Sequence, residues 1–287
     1  MKVNIRPAVA TDAEDCGSIM YEAFKGVADR HGFPPDFPSV TAGKELAARL
    51  IAHPAVFGVV AEVYGGVAGS NFLSEGDRIR GVGPITIDPR YQGGGVGRAL
   101  MAAVLERGKS ADGVRLVQDA FNTRSFALYS SLGFAAREPL SLLLGTPISK
   151  PMAGFTVRPL SIDDLGVCAT LAVRVHGFER IAELRDALKV FRPFVVERNG
   201  RITGYLSAAT FWLANHGVAE TEEDMRALFL GAAAASSEPL SLLMPVRRTS
   251  LFRWCLSEGL RIVKPMTLMT IGTYREPNGA YFPSVFY

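Results

Sequence analysis

The sequence predicts an α/β (α+β) fold, a mixed and largely antiparallel sheet flanked by helices, laid down twice in tandem. Three observations predict it. Residues 84–108, PITIDPRYQGGGVGRALMAAVLERG, read as a strand, a glycine loop and a helix in immediate succession. Turn signals at Tyr64-Gly65-Gly66 and Glu75-Gly76-Asp77 place antiparallel strands ahead of that unit. The same landmarks then return in the second half of the chain.

The first element is the strand Val3 to Arg6. Thr11, with Glu14 three residues on, matches a capping box, and the helix that follows carries Cys16, Ile19, Met20 and Phe24 as a buried face. Cys16 therefore reads as core. Residues 25–42 form a proline-rich loop holding His31, Phe33 and Phe37. Val56 to Glu62 and Val67 to Leu73 make a hairpin, and a further turn leads to the strand containing Ile85 and Ile87. Pro89 ends that strand, because proline cannot donate to a ladder.

Gly93-Gly94-Gly95-Val96-Gly97 comes next, and Val96, Leu100, Met101, Val104 and Leu105 share one stripe of the following helix, which Gly108 is expected to close as a left-handed cap. Residues without Cβ let the backbone turn with positive φ and approach a ligand closely. The first N–H groups of a helix have no internal partner and carry partial positive charge, so the junction suits a phosphate group. A P-loop would need Gly-Lys-Ser/Thr where this chain has Gly97-Arg98-Ala99. A dinucleotide fingerprint would need glycine where Leu100 stands, although Asp119 lies at the distance of a ribose-binding acid.

The spacing Gln92-x-x-Gly95-x-Gly97, following ITIDP, resembles the pyrophosphate motif of the GNAT N-acetyltransferases. The segment FNTRSFALYSSLGF strengthens the resemblance, with Asn122, Tyr129 and Gly133-Phe134 spaced as in that family's Asn…Tyr-x-x-x-Gly-Phe pattern. The resemblance covers residues 3 to about 144. It implies acetyl transfer from acetyl-CoA, as co-substrate, to an amine acceptor by direct attack in a ternary complex. It places the cofactor on Ile85, Ile87, Gln92, Gly93, Gly94, Gly95, Val96, Gly97, Arg98 and Asn122, with the Ile87 N–H at the acetyl carbonyl. It makes Tyr129 the acid that protonates the departing thiolate. The base is less legible: Glu75 is the first choice, with Asp77, Asp119, His31 and the terminal carboxylate of Tyr287 as further candidates. A non-catalytic acyl-CoA-binding or sensing protein is the alternative.

The internal repeat sets the domain organisation. Ile5-Arg6-Pro7 returns as Val157-Arg158-Pro159, Cys16 as Cys168, Gly65 and Gly69 as Gly200 and Gly204, and Gly133 as Gly259. Matches in one order with a shrinking offset mean two copies of one fold, the second shorter. The expected division is an N-terminal domain at 1–147 with the site, a linker at 148–153 and a degenerate C-terminal domain at 154–287. In the second copy, three acids (Glu222, Glu223, Asp224) stand where the glycine loop is expected, Arg248 replaces Asn122 and Cys255 replaces Tyr129. The tail GAYFPSVFY reads as a last strand.

Composition bounds the rest. The 287 residues are 48% hydrophobic and 21% charged with a net charge of +3, which describes a globular chain without the basic tracts of a nucleic-acid partner. No run is apolar and long enough to span a bilayer, the start does not read as a secretion signal, and three isolated cysteines lack metal spacing. The expectations are a cytoplasmic protein with no metal, no membrane and no nucleic acid, acting on a small-molecule or peptide amine. Oligomeric state stays open between monomer and homodimer.

Overall fold

A computed structural model describes residues 2–286. Its described residues divide into two compact units: residues 2–116 with 121–132, and residues 117–120 with 133–286.

The first unit opens with β1 (Asn4–Pro7) and the paired helices α1 (Ala13–His31) and α2 (Val40–Ala52). The antiparallel strands β2 (Val56–Val63) and β3 (Gly66–Ser74) turn at Tyr64 and Gly65, both with positive φ, the geometry of a two-residue hairpin. Next come β4 (Ile79–Val82), β5 (Thr86–Ile87), α3 (Val96–Gly108), β6 (Gly113–Asp119) and α4 (Thr123–Ser131). β1, β2, β3 and β4 lie side by side antiparallel, and β4 then runs parallel to the start of β6. Adjacent residues of β3 show where the helices lie. Asn71 donates to the Leu100 carbonyl of α3, while Ser70 hydrogen-bonds the Cys16 thiol of α1. Successive strand residues face opposite sides, so α1 and α3 cover opposite faces of the sheet.

Three local expectations change, the first being the loop expected over 25–42, whose ends belong to α1 and α2. α1 starts at Ala13, not at a Thr11 cap, because the Asp12 carboxylate turns back to the Val9 N–H and to Arg6. Gly108 is helical and caps nothing. A Cβ there would sit 3.4 Å from Val114 and 3.5 Å from Leu73, ordinary van der Waals contact.

The second unit contains β7 (Ala135–Gly145), β8 (Phe155–Pro159), α5 (Leu165–His176), α6 (Ile181–Val190), β9 (Phe194–Arg198) and β10 (Arg201–Leu206). β11 (Gly217–Ala219), α7 (Glu222–Ala234), β12 (Leu240–Pro245), α8 (Thr249–Ser257), β13 (Arg261–Gly272) and β14 (Ala280–Phe282) complete it. One sheet runs β14-β11-β10-β9-β8, all antiparallel. α7 packs against it over a core of Met225, Leu228, Phe229, Val196 and Phe282. β7, which the repeat assigns to residues 1–147, clusters with this unit, pairing β13 on one edge and β12 on the other. The tail forms β14, as its aromatic pattern predicts.

The repeat is visible residue by residue. The Asn199-Gly200 turn repeats the positive φ angles of Tyr64-Gly65. Cys255 takes the buried seventh position of α8, where Tyr129 sits in α4. Cys16, Cys168 and Cys255 are all buried, and burial pushes their thiols up to about 11, 12 and 12.

Candidate functional site

The site is assembled from β5, the loop after it, and the N-terminal ends of α3 and α4. Gly69 of β3 makes the first requirement plain: a Cβ there would lie 2.4 Å from the Thr86 carbonyl, so only glycine lets β5 pair so closely. Asp88 donates its N–H to Ala68 at 2.9 Å. Alternate N–H groups of a strand point to opposite edges, so the Ile87 N–H points away from β3. β4 and β6 are paired over Ile79–Gly81 and Gly113–Arg115, and among the described residues no strand pairing joins β5 to β6. The outer edge of β5 is therefore free to receive an extended ligand. Ile85 precedes the regular strand and is half-buried.

The glycine loop enters α3 through Gly93 and Gly95, each with φ of 87°. Gly95 is the N-cap and no side chain caps the helix, so the N–H groups of Val96, Gly97 and Arg98 lack intrahelical partners. Val96 buries its side chain in the core and offers only its backbone. A Cβ on Gly97 would meet Ile87 and Leu128 at 3.3 and 3.4 Å, which holds β5, α3 and α4 in contact. Gly93, Gly94 and Gly95 are exposed.

Gln92 ties the loop down from both ends of its amide. Its Nε2 donates to the Ile87 carbonyl at 3.3 Å, and its Oε1 accepts from Arg124 at 3.2 Å. Arg124, which the motif spacing passes over, lies in the first turn of α4, and its Nη2 is 3.8 Å from a Cβ position on Gly93. The cation beside the loop is thus Arg124, while the Arg98 guanidinium turns away to Ser131 at 2.8 Å. Arg90 does not serve either, since it grips Asp88 and holds that carboxyl below its ordinary range.

Asn122 caps α4, its side chain accepting the Ser125 N–H at 3.2 Å. Tyr129 lies two turns into the same helix and is 6% exposed. The end of α1 reaches this neighbourhood: Phe33 stacks on Phe121 at 4.2 Å, and the His31 ring lies 5.1 Å from Phe121.

The candidate bases lie apart from one another. Glu75 receives Arg80 at 2.8 Å and Arg107 at 3.1 Å. Arg107 is in the last turn of α3, so Glu75 sits at the end of that helix opposite the glycine loop. Its oxygens accept from two guanidinium groups there. Asp119, in the second unit, is paired with the buried Lys264 at 2.7 Å, which also removes it as a ribose ligand. Asp77 has an interaction of its own. Tyr287 lies outside the described residues.

The second copy differs more than its acids foretell. Gly69 pairs Ile87 and Gly204 pairs Ala219, so Ala219 is the counterpart of Ile87. From Ile87 to the start of α3 the chain advances nine residues (87 to 96), but from Ala219 to the start of α7 only three (219 to 222). The glycine loop is absent rather than made acidic. The helix start is closed by Thr221 and Asp224, each bonding the other's backbone N–H at 3.1 Å. The edge of β11 that corresponds to the free edge of β5 is paired with β14, Ala219 opposite Ala280.

Both halves of the chain repeat one order of strands and helices. Residues 28–134 match the model of the Acetyltransferase (GNAT) family. It is similar to an acetyltransferase structure from Pyrococcus horikoshii at 17% identity and a TM-score of 0.75, covering 96% of this chain and 93% of that one. A GCN5-related N-acetyltransferase from Sphaerobacter thermophilus gives 14% identity and 0.63, over 97% and 98%. A tandem GNAT protein from the clavulanic acid biosynthesis pathway gives 14% and 0.58, over 97% and 99%. No curated protein matches the sequence. Among the described residues no helix is long and apolar enough to cross a membrane, and no group of three or more His, Cys, Asp or Glu could hold a metal.

Proposed function

We propose that the chain is an N-acetyltransferase that moves the acetyl group of acetyl-CoA to an amine, at one site built on β5, α3 and α4. The observation that carries the reading is the pairing of an outward-facing Ile87 N–H with the glycine turn into α3, both absent from the second copy. The backbone of Gly93 to Gly97 takes the pyrophosphate, and Arg124 adds a positive charge beside it. The extended pantetheine arm follows the free edge of β5. Acetyl-CoA supplies an activated thioester, and the chain's own groups do the rest.

The Ile87 N–H donates to the carbonyl oxygen as it gains negative charge, the kind of contact worth about 2.7–4 kcal/mol in other acyl transfers. Tyr129 gives its proton to the departing sulfur, an acid role worth about 10²–10⁴ in rate. Asn122 fixes the start of α4 and so the height of Tyr129. The second copy contributes packing and shape, not a second cofactor site. The acceptor is a small-molecule or peptide amine.

Calorimetric titration with acetyl-CoA, followed by thiol release across a panel of primary amines, tests this. One site per chain with amine-dependent thiol release supports the reading. Two equivalent sites, or none, overturn it, and binding without turnover of any amine leaves a sensing protein.

A further inference from the structure

We propose that two copies of the chain associate through α5, the outer face of one helix lying antiparallel on the same face of the other. From Leu165 to Val173 this helix reads LGVCATLAV, a run without a charge between Asp164 and Arg174. A helix apolar on every side belongs in an interior. Here one side is in the core: Leu165, Cys168, Leu171 and Val175 enter the cluster that α6 joins through Leu184. On the other side Val167 is 49% exposed and Val173 44%, with Ile162, just before the helix, 62% exposed. Ile162, Gly166, Thr170 and Val173 follow at helical spacing and make one stripe. A Cβ on Gly166 would meet nothing within 4 Å.

The first copy shows what such a face holds. With Cys16 matched to Cys168, Glu14, Gly17 and Tyr21 of α1 match Gly166, Ala169 and Val173. On α1 those positions seat α2. A Cβ on Gly17 would lie 2.2 Å from the Lys44 Cα, a Cβ on Gly43 would lie 3.5 Å from that of Tyr21, and Lys44 pairs with Glu14. In the second copy α6 leaves the matching face bare, with Gly166, Thr170 and Val173 all exposed. The same face of the same repeat carries a helix in one copy and none in the other.

Charge selects a second copy as the occupant. Asp163 is exposed at the head of the stripe. At its foot, Arg174 and Arg201 share Glu220, so positive charge remains, and Arg275 adds to it by donating to the Arg174 carbonyl at 3.3 Å. One end is acidic and the other basic, so the face complements itself when turned end for end. With Gly166 opposite Thr170 of the partner, Ile162 falls near the partner's Val173 and Asp163 near the partner's Arg174. The contact is two-fold and closes on itself. The two helix dipoles then oppose each other, which adds to the attraction.

Analytical ultracentrifugation across a concentration series tests this. The wild type should pass from monomer to dimer with a Kd on the order of 10 µM, because one helix crossing is a small interface. Gly166→Glu should raise that Kd by about tenfold or more, since the dimer would bury an unpaired carboxylate. Its thermal midpoint at low concentration should hold or rise, because a glycine in the first turn of a helix gives way to an acid. Asp163→Lys should weaken the dimer about threefold, and added salt should narrow that difference. A chain that stays monomeric at every concentration overturns the proposal. So does a dimer that Gly166→Glu leaves intact, and open-ended assemblies overturn the two-fold arrangement. The acetyl-transfer reading stands or falls separately from all of these.

Discussion

Arg6 and Arg158, 152 residues apart, make the same contacts in the two units. Arg6 binds Asp12 at 2.8 Å and Glu62 at 2.7 Å; Arg158 binds Asp164 at 2.7 Å and Glu197 at 2.9 Å. Each also donates to the carbonyl of the next proline, at 3.1 and 3.2 Å. In both copies the arginine pins the first strand to the turn that starts the first helix and to the neighbouring strand.

These clamps predict an acid-sensitive fold. The Arg158 guanidinium, helped by the Ser161 N–H and hydroxyl, lowers the Asp164 carboxyl from its ordinary 3.8 to about 2. A folded-state pKa below the unfolded one means the stabilisation is full above about pH 4 and is lost as pH falls toward 2. Asp164→Asn should cost about 1–2 kcal/mol at neutral pH. Urea midpoints for variant and wild type should converge as pH drops from 5 to 2.

Gly95→Ala should weaken acetyl-CoA while leaving the fold intact. A φ of 87° costs a residue with a Cβ about 1–2 kcal/mol, and relief of that strain moves the amides that grip the pyrophosphate. The expected change is a roughly tenfold rise in the dissociation constant by calorimetry, with a thermal midpoint lowered by a few degrees.

Tyr129→Phe should separate binding from chemistry. The ring keeps its buried place on α4, so acetyl-CoA binding persists, while kcat falls by about 10²–10⁴ if the hydroxyl is the acid. Equal loss of binding and turnover would mean that the tyrosine serves packing.

Arg124→Gln should raise the dissociation constant for acetyl-CoA by about tenfold, the scale of one charge-assisted contact of about 1.5–3 kcal/mol. The salt dependence of binding should flatten in the variant, because the removed contact is electrostatic. Arg98→Gln, whose side chain bonds Ser131 instead, should change affinity much less.

Much of this was legible in the sequence because it is local. Hairpin turns, the glycine run before an apolar stripe, and the Asn122 and Gly133 caps all write their geometry into adjacent residues. What stayed hidden depends on groups distant in sequence. Glu75 reads as an available carboxylate until Arg107, 32 residues on, closes over it. Arg124 carries no motif position and is found only through its bond to Gln92. In the second half, matching Arg226-Ala227-Leu228 to Arg98-Ala99-Leu100 implied a surviving loop of altered charge, whereas strand register shows that β11 runs almost directly into α7. The tail announced a strand, but a strand does not name its partner. β7 likewise pairs with β12 and β13, partners distant in sequence.

The pairing of Ala280–Phe282 along β11 has a practical consequence. Cutting the chain before Ala280 would bare the amides and carbonyls of β11 that pair with β14, an invitation to self-association. Purification handles and fusions should therefore go at the amino terminus, and loss of solubility in a shortened protein should be read as an exposed seam before it is read as a lost activity.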